Sequence, residues 1–416
     1  MTNILRILSI ETSCDETGIS IMEYQKDTNT YKVLADSLNS QIEIHKEFGG
    51  VFPMMAKREH GNNLTGLLTS CLEKIMSNDQ SSVDKENIDF SLIDREKELT
   101  EKLKTEFKNP DSLLTKIPHI DYIAVTRGPG LEPALWVGLS FVKFLSKLWN
   151  IPMLPINHME GHISSVLMES GFVEFPTLAL LISGGHTELV DVENWGKYSI
   201  IGKTRDDAVG EAYDKVARIL DLSYPGGPLI AGKGQKLREK FSESDIQLKK
   251  DQFSIKLPRP MIHSQDLDLS FSGLKTAVLY MVRDLKKTTE TLSVETVDLI
   301  AHEFENSVSE VLISKLNFAH KTNQRKYKNL IVAGGVIANE FLKENIQRWC
   351  TKNGVHFLKP EKSLATDNAI MIALAAIIGL KNEYAQIIHP KDKEFLEIKP
   401  DGDWSLNAIY YCHAPL

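Results

Sequence analysis

Two similar strand–turn–strand segments most constrain how this 416-residue chain can fold. The first covers residues 4–22 and the second covers residues 177–192, about 170 residues further on. In each segment an apolar run meets a polar turn and then a second apolar run, which is typical of two paired, buried strands. A duplicated unit of this kind predicts an α/β protein with two lobes that face each other across a cleft.

The length suits two domains or one large bilobal fold. We predict an N-terminal lobe over residues 1–150 and a C-terminal lobe over residues 151–390 that carries a metal and nucleotide site. A tail over residues 391–416 is expected to pack back on the first lobe. Residues 76–116 are rich in Ser, Asp, Lys and Glu, which predicts an exposed insertion, part disordered and part solvated helix, without chemistry.

Composition narrows the classes of partner. The formal net charge is −8, so a nucleic acid would have to be bound by a local basic patch and not by the overall field. The four cysteines lie far apart with no C-x-x-C pair, which favours a reducing compartment over a disulfide framework or a zinc ribbon. No apolar run reaches the roughly 18 residues that span a bilayer, so we expect no membrane span.

His158 and His162 form the strongest candidate for a metal site. Residues four apart share one face of a helix, and two imidazoles at that spacing can bind one metal ion. The alternative is a pair of ordinary surface or core histidines. A third ligand must come from elsewhere, and Asp367 at a strand-to-helix junction is the candidate. The alternative role of Asp367 is to cap the helix that starts near Ala369.

Several turns carry residues that suit a phosphate or a nucleotide. Gly184 and Gly185 leave room for a phosphate to approach the backbone, and the Gly-Gly turn at residues 334–335 follows a buried strand and opens a helix. Asp15 and Glu16 make their turn more acidic than turn chemistry requires. Asp214 is interpreted either as a contact to a ribose hydroxyl or as a surface acid.

Nine motifs in order resemble one family. They are ETSCDET (11–17), TRGPG (126–130), NHMEGH (157–162), LISGGHT (181–187), DDAVGEAYDK (206–215), YPGGP (224–228), SFSGLKT (270–276), AGGVIAN (333–339) and ATDNA (365–369). Together they resemble the TsaD/Kae/OSGEP-like family, which makes N6-threonylcarbamoyladenosine in tRNA. ETSCDET and YPGGP are more similar to its bacterial and mitochondrial branch than to its archaeal and cytosolic branch.

The resemblance implies the actin/Hsp70/sugar-kinase-like (ASKHA) bilobal fold, with duplicated lobes around a nucleotide cleft. It implies transfer of the threonylcarbamoyl group of threonylcarbamoyl-adenylate to N6 of adenosine 37, in tRNAs that read codons beginning with A. Carried over by motif, the metal ligands are His158, His162 and Asp367, with one iron or zinc ion per subunit. Asp15 and Glu16 match acids near the phosphate end and are the catalytic candidates. The adenylate-binding positions are Leu181, Ile182, Ser183, Gly184, Gly185, Asp214, Gly227 and Asn339.

Two other enzyme classes and a scaffold are the alternatives. A metalloprotease of the zincin type places its general-base Glu directly after the first His. Glu160 instead lies two residues from each histidine, roughly 200° round the helix, and would face away. An ASKHA small-molecule kinase needs no dihistidine metal site. A non-catalytic tRNA-binding scaffold would not need the three metal ligands.

The resemblance also bears on partners and compartment. Mitochondrial members similar to this chain act as homodimers, which we expect here, whereas bacterial members need helper subunits. The lysine-rich insertion hints at a eukaryotic source and hence at a mitochondrial protein. Residues 1–8 show no clear transit peptide, so the alternative is a cytoplasmic location.

Overall fold

The computed structural model describes residues 3–76, 80–83, 88–287, 291–322 and 326–408. The chain divides into two compact units. The first contains residues 1–171, 195–197 and 366–416, and the second contains residues 172–194 and 198–365.

This division differs from the predicted boundaries at residues 150 and 390. Strand β5 (Met153–Asn157) pairs with β4 (Tyr122–Gly128) in the sheet of the first unit, so the helix after β5 belongs to that unit as well. Helix α13 (Ala369–Lys381) packs against the first two strands of the same sheet. The two histidines and Asp367 therefore all lie in the first unit, whereas the glycine turns near residues 184 and 334 lie in the second.

A five-stranded mixed sheet forms the centre of the first unit. Besides β4 and β5 it contains β1 (Ile4–Glu11), β2 (Glu16–Gln25) and β3 (Thr30–Ser40), and its order is β3-β2-β1-β4-β5. Strands β1 and β2 are antiparallel, as the first strand–turn–strand segment predicts, and β2 pairs antiparallel with β3. Strand β1 also pairs in parallel with β4, which pairs in parallel with β5.

Helix α13 is apolar on all sides and buried over residues 369–379, which is typical of a helix enclosed within a unit. The other helices of the first unit are α1 (Ile42–Lys46), α2 (Pro53–Glu73), α3 (Lys97–Lys108), α4 (Glu132–Trp149), α5 (His158–Ser164), α6 (Leu167–Ser170) and α14 (Lys393–Glu397).

The segment predicted to be an exposed insertion is folded into the first unit wherever it is described. Ile93, Leu99, Leu103 and Leu114 are fully buried in the core of that unit, and α3 packs against α2. The prediction was wrong here because α3 is strongly amphipathic, with three buried positions among charged ones. Average composition hides such a stripe. Residues 77–79 and 84–87 of the segment lie outside the described residues.

The second unit contains a second five-stranded sheet. Its strands are β6 (Thr177–Ile182), β7 (Thr187–Asn194), β8 (Lys197–Lys203), β9 (Asn329–Ala333) and β10 (His356–Leu358). They lie in the order β10-β9-β6-β7-β8, and β6 pairs antiparallel with β7 and in parallel with β9, which pairs in parallel with β10. Counted from β8, this is the strand order of the first sheet counted from β3. The repeated order confirms the predicted α/β fold class of the actin/Hsp70/sugar-kinase type.

Helices cover the rest of the second unit, in two runs on either side of β9. They are α7 (Val209–Ile219), α8 (Gly226–Lys240), α9 (Glu243–Gln252), α10 (Ser272–Leu285), α11 (Val294–Thr322) and α12 (Glu340–Asn353). Helix α7 begins at Val209, although acidic residues lie just before it in the sequence. The Asp206 carboxylate accepts hydrogen bonds from the backbone N–H groups of Phe271 and Ser272 instead of continuing a helix.

Two expectations from composition can be checked on the described residues. None of their helices combines the length and apolar character that a membrane crossing requires. Within the same residues, Cys14, Cys71 and Cys350 are free thiols, as their spacing predicts. Cys412 lies outside the described residues.

Candidate functional site

The two histidines lie on helix α5, which begins directly at the carboxyl end of β5. Asn157 starts the helix, because its side-chain oxygen accepts hydrogen bonds from the N–H groups of Met159 and Glu160. This is the usual N-cap arrangement. His158 and His162 then share one face, with ring centroids 4.7 Å apart. The predicted helical placement of the pair is confirmed.

Asp367 reaches both histidines. Its Oδ1 lies 3.5 Å from Nε2 of His158 and 3.2 Å from Nε2 of His162. Its neighbour Asn368 caps α13, because the Asn368 side-chain oxygen accepts a hydrogen bond from the N–H of Met371. Asn368 therefore caps the helix, and the Asp367 carboxylate is directed at the two imidazoles.

The three side chains fit a metal ion. One potential ligand atom from each lies within 4.8 Å of the others. His162 is buried, and among the described residues neither of its ring nitrogens has a hydrogen-bond partner, since the approach of Asp367 lacks hydrogen-bond geometry. An unsatisfied buried imidazole is costly unless something binds it. Two imidazoles and one carboxylate form a donor set that zinc and iron use in proteins.

Strong opposing charges meet at this cluster. Burial by itself would lower the pKa of His158, but the carboxylates of Asp367 and Glu11 raise it well above its ordinary value. Burial would raise the pKa of Asp367, but the two histidines hold it far below its ordinary value. The cluster therefore pairs a cation with carboxylates when no metal is bound.

Glu11 is a site residue that the sequence reasoning did not single out. It is the last residue of β1 and is fully buried. Its Oε2 lies 3.1 Å from Nδ1 of His158 and accepts a hydrogen bond from Thr126 at 2.5 Å. Its Oε1 accepts a hydrogen bond from the N–H of Ser13 at 2.5 Å. The sequence did contain a signal for Glu11, because it is an acid at the end of an apolar strand. Turn chemistry does not explain an acid at that position.

The catalytic candidates Asp15 and Glu16 are both buried in the same unit. Burial, followed by the charges of Asp15 and Asp367, raises the pKa of Glu16 to about 10. Ser40 donates a hydrogen bond to Glu16 at 3.3 Å. Glu16 is therefore a neutral carboxylic acid at neutral pH when no metal is bound, whereas a base must be ionised.

The glycine loop at residues 126–131 forms a tight turn held by its own unit. The N–H of Gly130 donates to the carbonyl of Gly402 at 3.1 Å, and the N–H of Leu131 donates to the carbonyl of Ser13 at 2.8 Å. Arg127 stacks on Trp404 with 4.8 Å between its guanidinium carbon and the ring centroid. These contacts make the loop an ordinary strand-to-helix turn, braced by the described part of the tail.

Glu160 is directed away from the metal candidates. Its Oε1 accepts a hydrogen bond from the hydroxyl of Tyr384 at 2.6 Å. The helix therefore presents both histidines on one side and this carboxylate on another, as the spacing predicts. A zincin-type general base is not available from this position.

In the second unit, the predicted adenylate-binding positions 181–185 lie at the carboxyl end of β6. Leu181 and Ile182 are buried within the strand, and Ser183 closes the turn by accepting from the N–H of His186. A Cβ added at Gly184 or Gly185 would meet no heavy atom within 4 Å. The turn therefore leaves open space next to its backbone, which suits the approach of a phosphate.

The other predicted adenylate positions also lie in the second unit, but the side chains of two of them, Asp214 and Asn339, accept hydrogen bonds from backbone N–H groups of the protein itself. Asp214 accepts a hydrogen bond from the N–H of Gly226 at 2.7 Å and so fixes the start of α8. A Cβ at Gly227 would meet open space. Asn339 caps α12 through the N–H of Leu342, and its amide donates to the buried Glu305 at 2.7 Å.

Comparisons with known proteins agree on one family. The model of the family described as "TsaD: tRNA N6-adenosine threonylcarbamoyltransferase" matches residues 32–85 and 111–374. A protein of that name from Dictyoglomus turgidum is 41% identical over 394 residues, covering 95% of this chain and 97% of the relative. Its counterpart from Chromobacterium violaceum is 39% identical and covers 90% of this chain and 93% of the relative.

A third relative of the same name, from Staphylococcus epidermidis, is 38% identical and covers 92% of this chain and 96% of the relative. Among solved structures, component A of (R)-2-hydroxyglutaryl-CoA dehydratase from Acidaminococcus fermentans is 14% identical. It covers 90% of this chain and 96% of that chain, with a TM-score of 0.43.

Proposed function

The chain belongs to the TsaD family of tRNA N6-adenosine threonylcarbamoyltransferases, and we propose that it transfers the threonylcarbamoyl group of threonylcarbamoyl-adenylate to N6 of adenosine 37, in tRNAs that read codons beginning with A. The convergence of His158, His162 and Asp367 within 4.8 Å is the observation that carries this proposal. The comparisons lend no support to a metalloprotease or to a small-molecule kinase.

The reaction is an acyl transfer from an activated donor. The exocyclic amine of adenine attacks the carbamoyl carbon, the bond from that carbon to the phosphate oxygen breaks, and AMP departs while the amine loses a proton. Because the mixed anhydride is already activated, the protein must mainly position the reactants and stabilise the charge that develops on the departing phosphate.

The first unit would hold a divalent ion, which we propose to be iron or zinc, through the two imidazoles and the Asp367 carboxylate. Such an ion supplies positive charge to carbamoyl or phosphate oxygens. Asp15 is the better candidate for the base that takes the amine proton, because Glu16 is neutral when no metal is bound. A neutral Glu16 can instead donate a hydrogen bond to a substrate oxygen.

The second unit would bind the AMP part of the donor. The open turn at Gly184 and Gly185 lies at the carboxyl end of β6, next to the parallel strand β9. Carboxyl ends of parallel strands are where α/β proteins bind nucleotides. Asp214 and Asn339 act there by fixing the starts of α8 and α12, and Gly227 leaves space beside the first of these starts.

A depression in the second unit, lined by several basic side chains, is the patch that we propose for tRNA phosphates. It has a volume of about 490 Å³ and is lined by Arg218, Arg283, Lys286 and Lys287, with Asp221 as the acid among them. Removal of one side chain that binds a phosphate should lower the slope of log affinity against log salt by about 1. Filter binding of tRNA by Arg283→Ala and Lys287→Ala tests this. Lys249→Ala removes a lysine that does not line this depression, and it is the control that should leave the slope unchanged.

The activity itself is tested with purified protein, threonylcarbamoyl-adenylate and unmodified tRNA, followed by nucleoside analysis. We expect modified adenosine from the wild type and no cleavage of a casein-type peptide. His158→Ala should remove both the bound metal and the transfer, whereas His356→Ala, at an exposed position on β10, should keep both. Transfer by a metal-free His158→Ala protein would refute the metal role and leave the family assignment intact.

The subunit arrangement and the compartment are further proposals. We propose a homodimer, with helper subunits as the alternative, and a mitochondrial location. Light scattering on the purified protein tests the first, and a C-terminal fluorescent tag tests the second. Transfer that appears only after a cell extract is added would favour helper subunits, and diffuse cytoplasmic fluorescence would favour the alternative location.

A further inference from the structure

We propose that Glu11 is a positioning residue for the metal centre, which holds the His158 ring so that Nε2 is the atom offered to the metal. This inference rests on the proposed metal role of His158. It concerns how the site is assembled and leaves open which reaction the site performs.

The hydrogen bonds around Glu11 determine the tautomer of His158. Both oxygens of an ionised carboxylate can only accept. Oε1 accepts from the N–H of Ser13 and Oε2 accepts from the hydroxyl of Thr126. The Nδ1 atom of His158, 3.1 Å from Oε2, must therefore carry the proton. The lone pair of the neutral ring is then on Nε2, the atom nearest Asp367.

The sheet explains why Glu11 can act with little freedom to move. Strands β1, β4 and β5 are neighbours and parallel, so their carboxyl ends meet at one edge of the sheet. Glu11 ends β1, Thr126 lies near the end of β4, and His158 directly follows β5. Groups held on rigid strands orient a ligand more accurately than groups on loops.

The two histidines are not equivalent in this respect. Nδ1 of His158 lies 3.1 Å from Glu11 and 3.2 Å from the hydroxyl of Ser13. Nδ1 of His162 has no hydrogen-bond partner among residues 3–76, 80–83, 88–287, 291–322 and 326–408. Hydrogen bonds to Nδ1 therefore fix the orientation of the His158 ring, whereas the His162 ring meets Asp367 at Nε2 and has no such bond at Nδ1.

Carboxylates in this position act on metal affinity. A ligating histidine that donates its second N–H to a carboxylate is both oriented and more basic, and loss of such a partner costs about 10- to 100-fold in metal affinity. The predicted readout is therefore a metal dissociation constant, which is measured without any substrate.

The experiment compares Glu11→Gln with Glu23→Gln. Glu23 is also a buried carboxylate of this sheet, on β2, and pairs with Arg6 at 2.9 Å, so it controls for loss of a buried charge. Apoprotein is titrated with Co²⁺, and the visible d–d spectrum is recorded. We expect Glu11→Gln to weaken Co²⁺ binding about 10- to 100-fold and to change the spectrum, and Glu23→Gln to leave both unchanged.

Wild-type Co²⁺ affinity and spectrum in Glu11→Gln would overturn the proposal, and so would an equal loss in Glu23→Gln. If Glu11→Gln does not fold, Thr126→Val tests the proposal instead, because it removes the hydroxyl that donates a hydrogen bond to Oε2 of Glu11. Weaker Co²⁺ binding by Thr126→Val supports the role, and unchanged binding refutes it. Failure of the proposed function is separate, since it would show as wild-type protein that binds metal but modifies no tRNA.

Discussion

The two sheets share one strand order, yet their corresponding turns differ in chemistry. In the first unit, the turn between β1 and β2 is surrounded by buried polar groups, with Glu11, Asp15 and Glu16 all shielded from solvent. In the second unit, the turn between β6 and β7 contains Gly184 and Gly185, beside which an added Cβ would meet open space. One turn concentrates acidic side chains, and the other leaves its backbone accessible.

This difference shows how a duplicated architecture can serve two chemical roles. The sheet order places a turn at the same edge in each unit, but the residues of the turn decide what it can bind. Acids and imidazoles suit a cation, whereas glycines suit the close approach of a phosphate. Fold alone therefore does not assign a function to either turn.

The largest effect on metal binding is expected at Asp367 in the first unit, and its neighbour Asn368 provides the matched comparison. Asp367→Asn should weaken metal binding by more than about 100-fold and abolish transfer, since losing even an outer partner of a ligand costs 10- to 100-fold. Asn368→Ala removes the cap of α13 and should cost about 1 kcal/mol of stability with the metal retained. Metal analysis and thermal unfolding of both variants measure this, and metal loss from Asn368→Ala alone would reverse the assignment.

The second prediction concerns acid sensitivity, which both units should share. Burial lowers the pKa of His60 in the first unit and of His302 in the second to about 4, from 6.5. Between these two pH values the unfolded chain binds more protons than the folded chain. The free energy of unfolding is therefore at its full value above pH 6.5 and decreases as the pH falls towards 4. The loss is on the order of 3 kcal/mol for the fully buried His60.

Urea unfolding at a series of pH values measures this loss. His60→Gln and His302→Gln should each make the dependence on pH shallower below pH 6.5. A pH dependence equal to that of the wild type in His60→Gln would show that its ring is not buried in the neutral form.

The third prediction concerns the open turn of the second unit. Gly184→Val should weaken binding of a stable adenylate analogue about 10-fold or more, equal to at least about 1.4 kcal/mol, because its side chain enters the space that the proposal assigns to the phosphate. Gly232→Ala, at an open position inside α8, should instead stabilise the fold by up to about 1 kcal/mol and leave binding unchanged. Calorimetric titration of both variants with the adenylate analogue measures these changes. Unaltered binding by Gly184→Val would show that the adenylate does not bind at this turn.

The smallest effect is expected at Glu160. Glu160→Gln keeps an oxygen that can accept from Tyr384, so stability should fall by less than about 1 kcal/mol, and metal content and transfer should not change. A mechanism in which Glu160 is the general base predicts instead that this variant loses transfer activity at least about 100-fold, as removal of a general base does. Steady-state transfer assays of wild type and variant distinguish the two outcomes.

The sequence predicted those parts of the fold that depend on local patterns. Both strand–turn–strand segments are found as antiparallel pairs, and the i, i+4 spacing of His158 and His162 placed them on one helix face. Asp367 was assigned by a motif and not by geometry, because it lies more than 200 residues from His162 in the sequence and only the tertiary fold brings them together.

Other features depend on contacts that a local pattern does not contain. Glu11 and His158 meet because β1, β4 and β5 are parallel neighbours, so the strand order was needed to pair them. Lys97 to Lys108 was assigned to an exposed insertion because its charged residues dominate the composition, although Leu99 and Leu103 are buried. Asn339 was assigned to the adenylate, but its side chain also caps α12.

The metal ligands can be identified by anomalous X-ray diffraction from crystals of the metal-loaded protein. We expect one peak at about 2.0–2.2 Å from Nε2 of His158, Nε2 of His162 and a carboxylate oxygen of Asp367. Active, metal-loaded protein whose peak lies away from these three atoms would refute the proposed metal site.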